Sequence, residues 1–437
     1  MCFEGTTNDR SKKKVFLVVL FIAIVLSYIF TSMILWTTES RFLTISRYSK
    51  VMRHREAIDG KSFAPDQYRF GSYYLVEYIF KHIPLRWYDV FNDIVAEGLD
   101  PTGWIEGTEK SVELFFPEED RAVIIKEIES TIDRIIDSFS PNNLLLRNML
   151  KAAIDSFGWQ EYINDIEKTT MLIGKNIPGE FKALIEKDSA ESALVNGYVT
   201  FRFFFTATTL LLVFLLCAQF TDALTSLLGM SLFAALLPMV AQDFMQAETM
   251  LSATVFAGFL VALLKNKSYL LLLLLVLLGC TARTDQTLFA GVIYLLYKVP
   301  GAIKRRKWLS LLAGLSLVFI PLVATLLLSE VIYAGSEYYL DFIQLEYNLN
   351  HPWAWIYPLI FLAIPLAFSP MIRNIDFFRK TWLWVPPFMV MNYLFARPAE
   401  VRLLLPVLIY SVPYVVAGVK EVLCHFDYDR DRKGGGS

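Results

Sequence analysis

The chain has 437 residues, of which 55% are apolar and 19% charged, with a mean hydropathy of +0.44. This composition excludes a soluble globular protein, which needs more charged residues to cover its surface, and predicts an integral membrane protein. The formal net charge of −2 shows no excess of basic residues, so we expect no nucleic-acid partner.

The first predicted element is a transmembrane helix at residues 15–36, which follows a short cytoplasmic tail at 1–14. This apolar run is long enough to cross the hydrocarbon core and lacks the small-residue cleavage site of a signal peptide, so we interpret it as a retained anchor. Residues 37–200 follow as one large extracytoplasmic loop. Its first part is aromatic and basic, which is typical of a segment at the lipid headgroups. Its second part has isoleucines at helical spacing after Pro117, which predicts a small helical unit.

Nine further transmembrane helices are predicted within residues 201–419, before a cytoplasmic tail and appended linker at 420–437. They are Phe201–Phe220, Ala223–Val240, Thr249–Leu264, Ser268–Cys280, Gln286–Tyr297, Trp308–Ser329, Trp353–Phe368, Thr381–Phe395 and Val401–Val419. Clusters of Lys and Arg fall on alternate loops, as the positive-inside rule requires. The predicted fold class is therefore an all-α integral membrane protein of about ten transmembrane helices, with a large helical extracytoplasmic loop between the first and second spans.

The segment from Ser268 to Tyr297 has two interpretations, one long helix or two short ones. We favour two, because a single helix would put the basic cluster Lys304–Lys307 on the outer side. Two such helices would reach only about 18 to 20 Å each, at 1.5 Å per residue. Their shared turn, Thr281–Asp285, would then lie below the outer surface. Charge at that depth indicates a cavity open to the outside.

The topology places a set of charged residues on the outer side, at or slightly within the membrane. They are Glu39, Asp66, Arg69, Asp243, Glu248, Arg283, Asp285, Arg397, Glu400 and Arg402. Arginine binds phosphate bidentately and keeps its charge, so this set favours a lipid-phosphate substrate. Each group also has a purely structural interpretation, as a solvated turn, a local ion pair or a snorkelling side chain. Tyr347 belongs to a predicted aromatic belt at the membrane surface, although a sugar-stacking surface would use the same residues.

The arrangement resembles the GT-C superfamily of glycosyltransferases, in which a first span precedes a large extracytoplasmic loop and a bundle of further spans. Similar bacterial membrane proteins share three short motifs, which are here Tyr68 with Arg69, Arg283 with Asp285, and Glu400-x-Arg402 before Pro406. The resemblance implies sugar transfer from a polyprenyl- or dolichyl-phosphate-linked donor to a glycan, lipid or protein acceptor on the non-cytoplasmic face. It also implies a catalytic acid soon after the first span, which by position is Glu39 and then Asp66.

The leading hypothesis is inverting glycosyl transfer with Glu39, Asp66 or Asp243 as the general base. The expected substrate- and phosphate-binding residues are Arg69, Glu248, Arg283, Asp285, Arg397, Glu400 and Arg402. No cofactor is indicated and the four histidines lack metal-ligand spacing, but a divalent cation would bind if Asp243 and Asp285 converge.

Three alternative functions stay open. The chain would otherwise be an extracytoplasmic polysaccharide polymerase or ligase, a transporter or flippase of lipid-linked or anionic solutes, or a membrane scaffold whose helical loop binds a protein partner. The expected location is the plasma membrane, or the endoplasmic reticulum if the protein is eukaryotic.

Overall fold

The computed structural model describes residues 9–64, 66–83, 85–87, 189–240, 248–304, 306, 308–336, 343–351, 365, 367, 375–397 and 400–434. Every element of regular secondary structure in these residues is a helix. The chain divides into two compact units, Met1–Leu85 with Leu194–Ser437, and Arg86–Ala193. All the contacts described below lie within the first unit. The predicted helical unit after Pro117, and residues 353–364, 366 and 368 of the predicted span Trp353–Phe368, lie outside the described residues.

Five helices in the described part of the chain are long and apolar enough to cross a membrane, which agrees with a membrane protein. Their apolar sections are Lys13–Leu35, Ala190–Cys217, Thr284–Ile303, Trp308–Ile332 and Val401–Val422. Three shorter apolar helices accompany them, at Ala223–Pro238, Glu248–Leu264 and Tyr269–Ala282. The total of ten spans therefore stays a prediction.

The first helix, α1, runs over Asp9–Ile58 and continues well past the apolar run that predicted the first span. Residues 37–58, which the sequence places at the lipid headgroups, prolong this helix. The reason is visible in the sequence, because the run contains no proline or glycine before Gly60. Gly60 has a φ of +72°, a left-handed conformation that glycine adopts readily, and the helix ends just before it.

The next helices, in chain order, form the bundle that carries the site. They are α2 Phe70–Tyr78, α3 Ala190–Cys217, α4 Ala223–Val240, α5 Glu248–Leu264, α6 Tyr269–Ala282, α7 Thr284–Lys304 and α8 Trp308–Leu327. A short π-helix, Leu328–Ile332, continues α8. Helix α4 has the bounds that its apolar run predicts.

Helices α6 and α7 are joined through Arg283 alone. Arg283 has extended backbone angles, with φ −152° and ψ 100°, so the helical path breaks at this residue. The segment from Ser268 to Tyr297 therefore forms two helices, as favoured above. Only α6 is short, with 14 residues, because α7 continues through Pro300 for 21 residues and ends at Lys304.

The C-terminal part contains α9 Leu345–Asn350, α10 Asp376–Thr381, α11 Val385–Phe395 and α12 Leu405–Gly434. Two 3-10 turns, Trp382–Trp384 and Val401–Leu404, lead into α11 and α12. Trp384 is completely buried. Its ring centroid lies 5.3 to 6.1 Å from those of Phe256, Phe289, Phe388 and Tyr410. This aromatic cluster packs α5, α7, α11 and α12 against one another, and all four helices lead to the site.

Candidate functional site: an arginine-lined cavity

A cavity of about 350 Å³ lies where the α6–α7 break meets the C-terminal end of α11. Its charged and polar lining includes Tyr68, Arg69, Arg283, Asp285, Gln344, Asn392, Arg397, Glu400 and Arg402. Its apolar lining comes from Leu288 of α7, from Pro321 and Leu322 of α8, from Met391 and Phe395 of α11, and from Leu403. The cavity, to which we refer as the arginine cavity, thus combines guanidinium groups with an apolar wall.

The structure brings together eight of the ten site residues that the sequence predicts. Six of them line the arginine cavity: Arg69, Arg283, Asp285, Arg397, Glu400 and Arg402. Glu248 and Asp66 do not line it, but each forms an ion pair with Arg69. Asp243 lies outside the described residues, and Glu39 lies in α1 with its side chain outside the described part.

Arg283 and Asp285 form a two-point ion pair at the break between α6 and α7. Arg283 Nε donates to Asp285 Oδ1 at 3.1 Å, and Nη2 donates to Oδ2 at 2.5 Å. The guanidinium is buried, with a side-chain exposure of 6%, whereas Asp285 is 31% exposed. Both oxygens of the Asp285 carboxylate are therefore occupied.

Glu400 and Arg402 form a one-point ion pair that also lines the cavity. Arg402 Nη2 donates to Glu400 Oε2 at 2.6 Å, and the side-chain exposures are 10% for Arg402 and 32% for Glu400. No residue in the described part of the chain forms a hydrogen bond with the other oxygen, Glu400 Oε1. Glu400 therefore presents one accessible carboxylate oxygen beside the cavity.

Arg69 connects the cavity to two buried carboxylates behind it. Its Nη1 lies 2.9 Å from Glu248 Oε1 and 3.5 Å from Asp66 Oδ1. Glu248 is the first residue of α5 and is only 2% exposed. Asp66 also pairs with Arg53, at 3.5 Å. Burial, and then the negative charge of Glu248, raise the pKa of the Asp66 carboxyl above its ordinary range, against the opposing effect of Arg69 and Arg53.

Gly71 allows the chain segment of Arg69 to lie against α6. A β-carbon at this position would lie 2.9 Å from the carbonyl oxygen of Thr281, so only glycine fits this contact between α2 and the end of α6. Thr281 is two residues before Arg283. The close approach therefore places Arg69 and Arg283 at the same cavity.

Arg397 differs from the other cavity arginines in its contacts. Its Nε donates to Gln344 Oε1 at 3.1 Å, and its Cζ lies 4.2 Å from the centroid of the Tyr347 ring. Both contacts are with neutral groups. Arg397 forms no ion pair with any carboxylate of the described residues.

No group of three or more His, Cys, Asp or Glu side chains within the described residues has the geometry of a metal site. Asp285 lies in the arginine cavity, but Asp243 is outside the described part of the chain. The predicted cation site between these two residues therefore stays a prediction.

Comparison with known proteins gives no relative. No protein-family model matches the chain, and no curated protein or solved structure is similar to it. The likeness to the GT-C superfamily therefore stays an expectation based on the predicted layout and the short motifs.

A second buried polar cluster lies where α1, α2 and α3 meet, and the sequence analysis did not find it. His54 of α1 forms hydrogen bonds through Nδ1 with the Tyr198 hydroxyl, at 2.8 Å, and through Nε2 with Glu77 Oε2, at 2.9 Å. Lys50 lies 4.0 Å from the Tyr198 ring centroid, and Lys81 pairs with Glu77. Burial lowers the pKa of His54 below its ordinary 6.5, and Lys50 and Lys81 lower it further, although Glu77 raises it.

The signal that would have revealed this cluster is the spacing of polar residues within α1. Arg47, Lys50 and His54 recur at three- and four-residue intervals, so they share one helical face, and all three are buried. Asn348 of α9 and Gln344, directly before it, gave no comparable signal, because their partners lie 45 to 53 residues further along the chain.

Proposed function

We propose that the chain is a membrane glycosyltransferase that transfers a sugar from a polyprenyl- or dolichyl-phosphate-linked donor at the arginine cavity. The observation that carries this proposal is the composition of the cavity, in which four guanidinium groups face an apolar wall from α8 and α11. A lipid-linked phosphate needs both features, because its phosphate requires cationic donors while its chain requires apolar contact. The proposed location is the plasma membrane.

In the proposed reaction a carboxylate takes the proton from the acceptor hydroxyl as its oxygen attacks the anomeric carbon. The bond between that carbon and the phosphate oxygen breaks, its electron pair leaves with the lipid phosphate, and the anomeric configuration inverts. General-base assistance of this kind contributes typically about 10²- to 10⁴-fold.

Glu400 is the base that the geometry supports best. It lines the cavity and has one carboxylate oxygen without a hydrogen bond to the described residues, whereas both oxygens of Asp285 are held by Arg283. Asp66, which the sequence predicts, does not line the cavity. Glu39 and Asp243 remain candidates only by sequence position.

Arg283 and Arg402 are proposed to stabilise the departing phosphate. Both guanidinium groups are largely buried and held in place by Asp285 and Glu400. Donors fixed before the reaction stabilise developing charge without reorganising, which is the largest contribution in many enzymes.

The test is sugar transfer by the purified protein in lipid nanodiscs, with radiolabelled polyprenyl-phosphate sugars and a panel of acceptors. Arg283→Ala and Arg402→Ala are expected to lose transfer, and Glu400→Gln to lose at least about 10²-fold. Arg379→Ala is the matched control, because Arg379 pairs with Asp376 on an exposed surface, at 2.8 Å with 63% and 49% exposure, and is expected to keep full activity.

The same assay separates the alternatives. Extension of a polymer would select a polymerase or ligase, and movement of intact donor across the vesicle membrane would select a transporter. Full transfer by both Arg283→Ala and Arg402→Ala would show that the arginine cavity is not the catalytic site.

A further inference from the structure

The four guanidinium groups of the arginine cavity are not equally available to an incoming anion. Arg283, Arg402 and Arg69 each lie within 2.9 Å of a carboxylate oxygen, on Asp285, Glu400 and Glu248 respectively. A ligand anion at any of these groups competes with an internal carboxylate. Arg397 forms no such pair within the described residues, so an anion meets its positive charge without that competition.

We propose that Arg397 is the first binding group for the substrate anion and that helix α9 positions it. This inference rests on the proposed function and adds to it which arginine takes the phosphate and what holds that arginine. A guanidinium has five N–H donors in one plane. The Arg397 guanidinium lies over the ring of Tyr347, and Gln344 accepts from Nε. Neither contact is a hydrogen bond from the Nη groups, so these groups stay available for a bidentate phosphate.

Helix α9 is fastened to the C-terminal end of α11, directly before Arg397. The Nδ2 of Asn348 donates to the carbonyl oxygens of Tyr393 and Ala396, at 2.7 and 2.8 Å, and Asn348 is only 1% exposed. The backbone N–H of Gln344 donates to the carbonyl oxygen of Leu394 at 2.8 Å. These three hydrogen bonds satisfy carbonyl groups that a helix end otherwise leaves unpaired.

The side chains that contact Arg397, on Gln344 and Tyr347, therefore belong to the same short segment that is anchored to α11, namely α9 and the residue before it. Tyr347 is itself stacked on His351, with ring centroids 4.2 Å apart, and His351 Nδ1 lies 2.8 Å from the Tyr347 carbonyl oxygen. The aromatic ring has a fixed orientation as a result. Tyr347 and Asn348 act on the substrate only through Arg397, so they are positioning residues.

The experiment measures binding of farnesyl phosphate, farnesol and inorganic phosphate to the full chain in detergent, by isothermal titration calorimetry. We expect Arg397→Ala to weaken the binding of farnesyl phosphate about 10- to 100-fold, as for the loss of a charged hydrogen bond. The affinity for farnesol should not change. Arg397→Gln removes the charge with less loss of volume and tests the proposal if the alanine variant fails to fold. Arg379→Ala should bind all three probes as the wild type does.

The positioning role has its own readout. Tyr347→Leu and Asn348→Leu are expected to weaken the binding of farnesyl phosphate several-fold and to leave the affinity for farnesol unchanged. Tyr347→Phe is expected to bind farnesyl phosphate as the wild type does, because the ring remains. A loss of affinity for farnesol and farnesyl phosphate together would show that α9 is only structural and would overturn the positioning role.

The outcomes separate this inference from the proposed function. Wild-type affinity for farnesyl phosphate in both Arg397→Ala and Arg397→Gln overturns the inference, even if sugar transfer is observed. Arg397-dependent binding in a protein that transfers no sugar supports the inference and contradicts the function. Inorganic phosphate bound as tightly as farnesyl phosphate would overturn the lipid source of the anion.

Discussion

The helical bundle carries ion pairs in different surroundings at two levels along α12, one at the cavity end just before Leu405 and one at the opposite end of the bundle near Lys420. At the cavity end Arg402 pairs with Glu400, and the guanidinium is 10% exposed. More than about 20 Å along the helix, at 1.5 Å per residue, Lys420 pairs with Asp222 at 3.1 Å, with exposures of 33% and 51%. Solvated pairs contribute about 0 to 1 kcal/mol, whereas burying charge carries a large desolvation cost. Burial around a cavity, and not the number of charges, therefore distinguishes the candidate site from an ordinary charged surface.

The largest expected difference between the ends is in folding stability. Glu248→Ala leaves Arg69 without its closest carboxylate in a buried setting, which costs about 3 to 5 kcal/mol. Asp376→Ala, at the opposite end, breaks the exposed ion pairs of Asp376 with Arg379 and Lys380 and should cost about 0 to 1 kcal/mol. Thermal unfolding in the same detergent measures both. Equal losses would mean that the cavity end is as solvated as the other and would remove the contrast.

Two glycines give a second comparison of the ends. Gly71→Ala forces α2 away from the Thr281 carbonyl group and should cost about 1 to 3 kcal/mol, with reduced sugar transfer because Arg69 is displaced. Gly301 lies in α7 with nothing within 4 Å of a β-carbon, so Gly301→Ala should stabilise by about 0.5 to 1 kcal/mol. Unfolding curves measure the change in stability of both variants, and transfer rates measure their activity. A similar shift in the two variants would contradict the tight contact at Gly71.

A third prediction concerns the start of α4, at the exposed end. The Asp222 carboxylate accepts from the N–H groups of Leu224 and Thr225, at 3.1 and 3.0 Å, and so caps the helix. Asp222→Ala should cost about 1 kcal/mol, while Asp222→Asn keeps an oxygen for the cap and should cost less. Unfolding at neutral pH compares the two variants. An alanine variant as stable as the asparagine variant would show that the cap contributes nothing.

The smallest expected effect is the pH dependence of the His54 cluster, which is buried but does not line the cavity. Because the folded-state pKa of His54 lies below its unfolded value of 6.5, the unfolded chain binds the proton first as the pH falls. The stabilising contribution is complete above the unfolded pKa and declines below it toward the folded pKa. Wild-type stability should therefore fall more than that of His54→Gln between about pH 7.5 and 5.5. Parallel curves for the two proteins would contradict the lowered pKa.

The sequence predicted elements whose signals are local. Helix α4 begins directly after the capping Asp222 and coincides with a largely apolar run without charged residues, and its bounds were predicted correctly. The break at Arg283 was favoured because a single long helix would have put the basic cluster Lys304–Lys307 on the outer side. The end of α7 was placed too early, at Tyr297, whereas the helix continues through Pro300 to Lys304.

The sequence predicted which site residues lie on the same side of the membrane, but not how they are arranged within the site. Alternating basic loops placed Arg69, Arg283 and Arg402 on one side, and the structure brings them to one cavity. The direction of a side chain was not predictable, so Asp66 was expected at the reacting atoms although it lies behind Arg69. The contact between Tyr347 and Arg397 joins residues that are 50 positions apart in the sequence. Local residue spacing does not predict such a tertiary contact.

Arg283 supplies both the backbone joint between two helices and one of the guanidinium groups of the cavity. Any change in the angle between α6 and α7 must turn the φ and ψ of this residue, and so carries its side chain and Asp285 with it. An anion bound to Arg283 would in turn oppose rotation of this joint. We therefore expect a distance probe placed across the joint between α6 and α7 to respond to ligand binding.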